Sequence, residues 1–114
     1  MIVEVVTGAD ERPEVRVVDV DDLARLHLAL GQVTDEEADE ALRAAGLGRL
    51  EDAESGVLDA AALRAAAEAQ AGSPAGTGDW GRRWEGLLET ARDRGWTADD
   101  GAGLKVHVES AAGA

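Results

Sequence analysis

Two short runs near the start of the chain, "IVEVV" (2–6) and "EVRVVDV" (14–20), are dominated by β-branched valine interrupted by charged positions. Residues of this kind predict strands. The intervening "TGADERP", with Gly8, Asp10 and Pro13, supplies turn chemistry, so the pair predicts a β-hairpin with a longer loop. The period then changes. In "DDLARLHLALG" (21–31), Leu23, Leu26 and Leu30 fall at i, i+3 and i+7, a single helical stripe. Asp19 or Asp21 is placed to cap that helix and Gly31 to end it.

The next helix has a fuller start signal. Thr34 is followed three residues later by Glu37, the spacing of a capping box, and Asp35, Glu36 and Glu37 complement the positive end of the helix dipole. Val33 is placed to staple against Ala38, and Gly46 suits the left-handed residue after the last turn. "GLGRLEDAESG" (46–56) predicts a polar loop, and "SGVLD" (55–59) a strand of two or three residues. Asp59 then caps "AAALRAAAEAQA", an alanine-rich helix whose one large apolar side chain is Leu63. "GSPAGTG" (72–78) reads as a flexible internal linker. Beyond it, Trp80, Trp84, Leu87, Leu88 and Ala91 recur at helical spacing and predict an amphipathic helix. "LKVHVE" (104–109) alternates apolar and polar residues as a strand with one buried face, and 110–114 form a tail predicted to be disordered. The predicted order is ββααβααβ, an α+β fold. One small antiparallel or mixed sheet carries the N-terminal hairpin and the C-terminal strand, with about four helices, in a single domain over 1–109.

Composition sharpens the part played by the aromatics. Among 114 residues there are three Trp and no Phe or Tyr, so the rest of the apolar complement is Ala, Val and Leu with one Met and one Ile. In a core of small side chains, one buried indole removes about 150–250 Å² of surface from water and outweighs its neighbours. Gly95 in the left-handed position after the Trp helix would turn Trp96 back towards Ala91 and onto the face of Trp84 and Leu88. The first expectation for Trp80, Trp84 and Trp96 is therefore a core anchor with no indole face exposed, and the second an aromatic ligand box. Arg82, Arg83, Arg92 and Arg94 point away from that stripe, towards acidic partners in the first part of the chain. Thr34, Glu37 and Gly95, with Trp84 and Trp96, are the expected structural residues.

The formal charge of −13 argues against direct contact with nucleic-acid backbones or anionic membranes. It is uneven: residues 1–71 hold 17 of the 24 acidic groups and 6 of the 11 basic ones. That part is the one to face a basic protein surface, if the acidity does more than keep the chain solvated. With no cysteine there is neither a disulfide nor a thiolate. No apolar run approaches a membrane span and the N-terminus lacks signal-peptide character, so a cytoplasmic location is expected. Ten Arg against the single Lys105, with abundant Ala, Gly, Val and Asp, fit a GC-rich genome; a salt-adapted host would favour the same surface.

Candidate chemistry is sparse. "TDEEADEALRAAG" resembles the helix entering an EF-hand of the calmodulin family. However, setting Gly56 at loop position 6 puts Ala53 at position 3 and Ala62 at position 12, where calcium needs oxygen ligands. His27 and His107 read as two separate surface imidazoles, one on a helix and one on a strand, and their spacing calls for no metal. No nucleophile elbow surrounds Ser55, Ser73 or Ser110, and "GSPAGTG" lacks the Lys-Ser/Thr of a phosphate-binding loop. No catalytic residue, metal or cofactor is expected.

"VDDLARLHLALG" (20–31), "LDAAALR" (58–64) and the segment from Trp80 to Glu109 together carry a resemblance. With Trp80, Trp84, Leu87, Gly95, Trp96, His107, Val108 and Glu109 in place, most of residues 17–109 is similar to a group of small actinobacterial proteins. These share a W-x3-W…GW…HVE C-terminal segment; this chain departs from them by continuing "SAAGA". The resemblance fits the GC-rich composition and implies no activity. Three functions follow as expectations. The first is a non-catalytic protein-interaction or structural module offering its acidic part to a basic partner. The second is a ligand-binding or enzymatic domain with a cleft between the Trp helix and the last strand, using Trp80, Trp84, Trp96, His107 and Glu109. The third is an acidic nucleic-acid mimic.

Overall fold

The computed structural model describes residues 1–8, 12–70 and 77–110. Among them the chain forms three α-helices and a curled, mixed seven-stranded sheet. The expected hairpin is present: β1 (Ile2–Thr7) and β2 (Pro13–Val18) pair antiparallel, with Val3 opposite Val17 and Val5 opposite Val15.

The expected helix over 21–31 is not formed. Leu23–Arg25 makes one 3₁₀ turn, and His27–Leu30 is a strand, β3, lying parallel to β1 on one side and to the last strand on the other. Leu28, Ala29 and Leu30 are all buried, three in succession, which one helical stripe does not require. A central strand paired on both edges can read as a nearly continuous apolar run, and its leucine spacing imitates a helix when the run is short.

The helix α1 (Asp35–Ala44) starts and stops as its sequence predicts. Thr34 Oγ1 accepts from the Glu37 N–H at 3.1 Å while Glu37 Oε1 accepts from the Thr34 N–H at 2.9 Å. Gly46, at φ 72°, closes the last turn, with Leu47 N–H bonding to Leu42 O at 3.0 Å. The polar loop expected over 46–56 contains another strand, β4 (Gly48–Leu50), which forms a hairpin with β5 (Ser55–Asp59). Asp52 Oδ1 closes the turn by accepting from the N–H groups of Glu54 at 2.8 Å and Ser55 at 2.9 Å. Gly48 is required by close approach: at φ 155°, an added Cβ would sit 2.1 Å from the Val57 carbonyl oxygen.

Asp59 caps α2 (Ala60–Glu68) by accepting from the Ala62 N–H. Of the stretch 72–78, residues 72–76 lie outside the described residues, whereas Thr77 and Gly78 begin α3 (Gly78–Arg94), with Thr77 Oγ1 as cap. Gly95 has φ 73°, and the Trp96 N–H reaches Ala91 O at 2.7 Å, the predicted helix stop. The short β6 (Thr97–Ala98) and the long β7 (Gly103–Ser110) complete the sheet. Ser110 thus ends a strand; 111–114 lie outside the described residues.

Strands run in the order β2-β1-β3-β7-β5-β4, with β6 also paired to β7. Successive side chains of a strand point to opposite faces, so the register assigns each position. Val3, Val5, Leu28, Leu30, Leu58, Leu104 and Val106 share a core with Leu42, Leu63, Trp80 and Trp84 from the three helices. The other face carries Ile2, Glu4, His27, Ala29, Lys105, His107 and Glu109.

Candidate functional site

The uncovered face of the sheet brings together residues that are far apart in sequence. Because Leu28 pairs with Val108 in parallel register, His27 lies beside His107 and Ala29 beside Glu109. The two imidazoles stack, with centroids 5.4 Å apart and planes inclined by 16°. Glu109 joins both: Oε2 lies 3.0 Å from His27 Nε2 and Oε1 lies 3.2 Å from His107 Nε2. The remaining His27 nitrogen, Nδ1, is 2.6 Å from the Arg25 carbonyl oxygen. The His27 side chain is 12% exposed, against 62% for His107 and 56% for Glu109. One ligand atom from each residue falls within 4.8 Å of the others, so the three together could hold a metal ion. The expectation of two unrelated surface imidazoles is thereby corrected: His27 belongs to a central strand and not to a helix surface.

The tryptophans divide. Trp80 and Trp84 are 0% and 1% exposed, stacked with centroids 5.4 Å apart and planes 10° apart, and Trp80 Nε1 donates to the Val20 carbonyl at 2.8 Å. Trp96 behaves otherwise. Its backbone makes the predicted cap, yet its side chain is 47% exposed and lies under the Arg94 guanidinium, 5.3 Å from the ring centroid. The cap turns the chain, but the next residues enter β6, and that direction carries the indole away from Trp84. Trp80 and Trp84 therefore join the core on the covered face, while His107 and Glu109 stand on the open face; the structure does not gather them around one cleft. Of the four arginines expected to reach acidic partners, Arg83 spans the distance, donating to the Asp21 carbonyl at 2.9 Å and to its carboxylate.

No family model matches the chain, and no curated protein or solved structure matches it either.

The acidic surface has its own geometry. Asp35, Glu36 and Asp39 of α1 face Leu50, Glu51 and Asp52 of the β4–β5 hairpin across a shallow groove of about 230 Å³. Asp39 fixes the wall: Oδ1 accepts from the Leu50 N–H and Oδ2 from Arg43 Nε, each at 2.9 Å. The Leu50 bond, more than Arg43, holds the Asp39 carboxyl below its ordinary value, with burial opposing. The N–H of Glu54, then the Ser55 hydroxyl, lower the Asp52 carboxyl likewise. A larger open groove of about 650 Å³ separates α2 from α3, but its charges answer one another, as in the 3.3 Å pair between Arg64 and Glu85. Among the described residues, no helix is long and apolar enough to cross a membrane.

His27 is the residue that sequence reasoning missed. The signal was present in "LHLAL", where Leu26, Leu28 and Leu30 alternate with His27 and Ala29 at period two. The period of a strand and the i, i+4 spacing of a helix coincide over so few positions.

Proposed function

We propose that this protein is a non-catalytic protein-interaction module that offers its acidic edge to a basic surface on a partner protein. The groove between α1 and the β4–β5 hairpin carries this proposal. Five carboxylates from two rigid elements line it around the half-buried Leu50, and the hydrogen bonds to Asp39 and Asp52 favour their charged forms. Among the described residues the ion pairs on this edge use Asp39 with Arg43 and Glu51 with Arg49, while Asp35 and Glu36 are exposed and Asp52, also exposed, closes the hairpin turn through Oδ1. Such an edge steers a cationic partner more than it binds one tightly, and its contribution falls with salt. The Ser55 hydroxyl donates to Asp52 as part of the hairpin turn. A nucleic-acid mimic is the special case in which the partner is itself a nucleic-acid-binding protein.

The test is capture of partners by the wild-type chain and by a Glu36→Lys/Glu51→Lys variant, at low and at high salt. The expected result is a basic protein retained at low salt only and lost in the variant. Competition by added DNA would mark the mimic. A partner retained equally in all four conditions, or no partner at all, would overturn the proposal.

A further inference from the structure

We propose that His27, His107 and Glu109 form a divalent transition-metal site on the open face of the sheet, with zinc as the fitting ion. Two imidazole nitrogens and one carboxylate oxygen are the ligands.

Proton accounting at His27 is the first support. A carbonyl oxygen only accepts, so the 2.6 Å contact with Arg25 O places the proton on Nδ1. In the neutral ring Nε2 then carries a lone pair, and that lone pair faces the carboxylate oxygen of Glu109 at 3.0 Å. A proton carried by His27 or by Glu109 satisfies such a pair, and so does a metal ion shared by Nε2 and the carboxylate. His107 differs, because its neutral Nε2–H tautomer can donate to Glu109 across 3.2 Å. A metal ion accepts lone pairs from both rings and requires neither to be charged while the two are stacked at 5.4 Å.

Geometry is the second support. Zinc ligands at about 2.0–2.1 Å in a tetrahedral array lie roughly 3.3 Å from one another. Each ring nitrogen lies close to that distance from one oxygen of the Glu109 carboxylate, His27 Nε2 at 3.0 Å from Oε2 and His107 Nε2 at 3.2 Å from Oε1, and one ligand atom from each residue falls within 4.8 Å of the others. The exposed His107 side chain has room to turn out of the stacked arrangement towards a shared position. The backbone is well held: β3 pairs with β1 and β7, and β7 pairs with β3 and β5. The Arg25 carbonyl also supplies the outer-shell acceptor that metal-bound imidazoles usually have, fixing the ring's tautomer and direction.

Ligand chemistry selects the ion. Magnesium and calcium take oxygen ligands, whereas two imidazoles with one carboxylate suit zinc and its neighbours. Three protein ligands leave the fourth zinc position to solvent, the open arrangement, on a face where His107 and Glu109 are exposed. The site adjoins the β4–β5 hairpin, where Ser55 lies opposite His107, but it shares no ligand with the acidic groove and does not rest on the proposed partner surface.

Calorimetric titration of the full chain with Zn²⁺ after chelator treatment tests the site, alongside single variants His27→Gln, His107→Gln and Glu109→Gln and the groove control Asp52→Asn. Circular dichroism confirms that each variant is folded, and His107 and Glu109 are exposed enough to be replaced safely. One equivalent of zinc should bind to wild type and to Asp52→Asn alike. Affinity should fall at least about tenfold in His107→Gln and in Glu109→Gln. Zinc should also move the ring nitrogen resonances of His27 in wild type. Several weak equivalents unaffected by the His107 and Glu109 variants would show scattered carboxylate binding and overturn the proposal. So would a wild-type chain that binds no zinc, which would leave the His27–Glu109 contact held by a proton.

Discussion

Replacing Trp80 and replacing Trp96 should have very different consequences, although one short segment carries both. Trp80 is fully buried, stacks on Trp84 and donates its indole N–H to Val20 O at 2.8 Å. Removing about 150–250 Å² of buried aromatic surface at roughly 25 cal/mol/Å² costs ~4–6 kcal/mol as an upper value. Measured truncations of buried aromatics to alanine fall at about 3–5 kcal/mol. At roughly 0.05–0.15 kcal/mol per residue, a chain of this size has ~6–17 kcal/mol in total, so Trp80→Ala approaches the limit of folding. Trp80→Phe is the sharper probe. It keeps a ring against Trp84 but takes the donor from a buried carbonyl, a loss of ~1–3 kcal/mol. Trp96→Ala removes an exposed indole and an Arg94 contact worth ~0.5–1 kcal/mol. Urea denaturation followed by far-ultraviolet circular dichroism, which does not depend on the missing indole, measures both. With a slope of about 1–3 kcal/mol/M, Trp80→Phe should lower the midpoint by roughly 1 M and Trp96→Ala by a few tenths. Equal shifts, or a neutral Trp80→Phe, would refute the assignment of Trp80 to the core and Trp96 to the surface.

The remaining predictions concern turns and charge. Gly95→Ala meets nothing within 4 Å and carries only the left-handed backbone penalty, ~1 kcal/mol; the β-branched Gly95→Val should lose more. Gly48→Ala would place its Cβ 2.1 Å from Val57 O and force β4 from β5, so it should lose ~3 kcal/mol or more, or fail to fold; thermal melts of the pair compare them directly. Thr34→Ala should lose ~1 kcal/mol, and a double-mutant cycle with Glu37→Ala should show coupling, because each side chain satisfies the other's backbone N–H. Asp39→Ala should destabilise at neutral pH. The folded pKa of Asp39 is depressed from its ordinary 3.8, so its contribution is fully present above that value and is lost as pH falls through the folded one. The difference in urea midpoint between wild type and Asp39→Ala should therefore narrow below about pH 4, and a constant difference would refute the role of its charge.

Local signals survived folding wherever the chain's own hydrogen bonds decide the outcome. The capping box at Thr34, the Asp59 cap, the glycine stops at Gly46 and Gly95 and the β1–β2 hairpin are all set within a few residues, and all are formed. Elements that need distant partners were not legible. Gly48–Leu50 is too short to show a period, and it is a strand because Leu58 and Val57 lie opposite. The stretch at 27–30 has residues compatible with both a helix stripe and a strand, and pairing to β1 and β7 decides between them. Trp96 shows the limit within one motif: the cap geometry is local and correct, whereas the direction of the indole depends on β6 pairing with Leu104 and Gly103 of β7.

The histidine cluster was illegible for a stronger reason, since it is a property of register and not of either segment. His27 and His107 are 80 positions apart and meet only because Leu28 lies opposite Val108. A slip of one residue in that pairing would turn one imidazole into the core and leave the other outside. What prevents the slip is the covered face: Leu28 and Leu30 must point the same way as Val3 and Val5, towards Trp80, Trp84, Leu42 and Leu63. The aromatic anchors thus act on the open face without touching it, by holding β3 in the register that sets His27 beside His107 and Glu109. Loosening of the core should consequently reach the cluster. In Trp80→Phe, the His27 and His107 ring resonances should therefore shift together, and a destabilised Trp80→Phe in which both stay in place would refute the coupling.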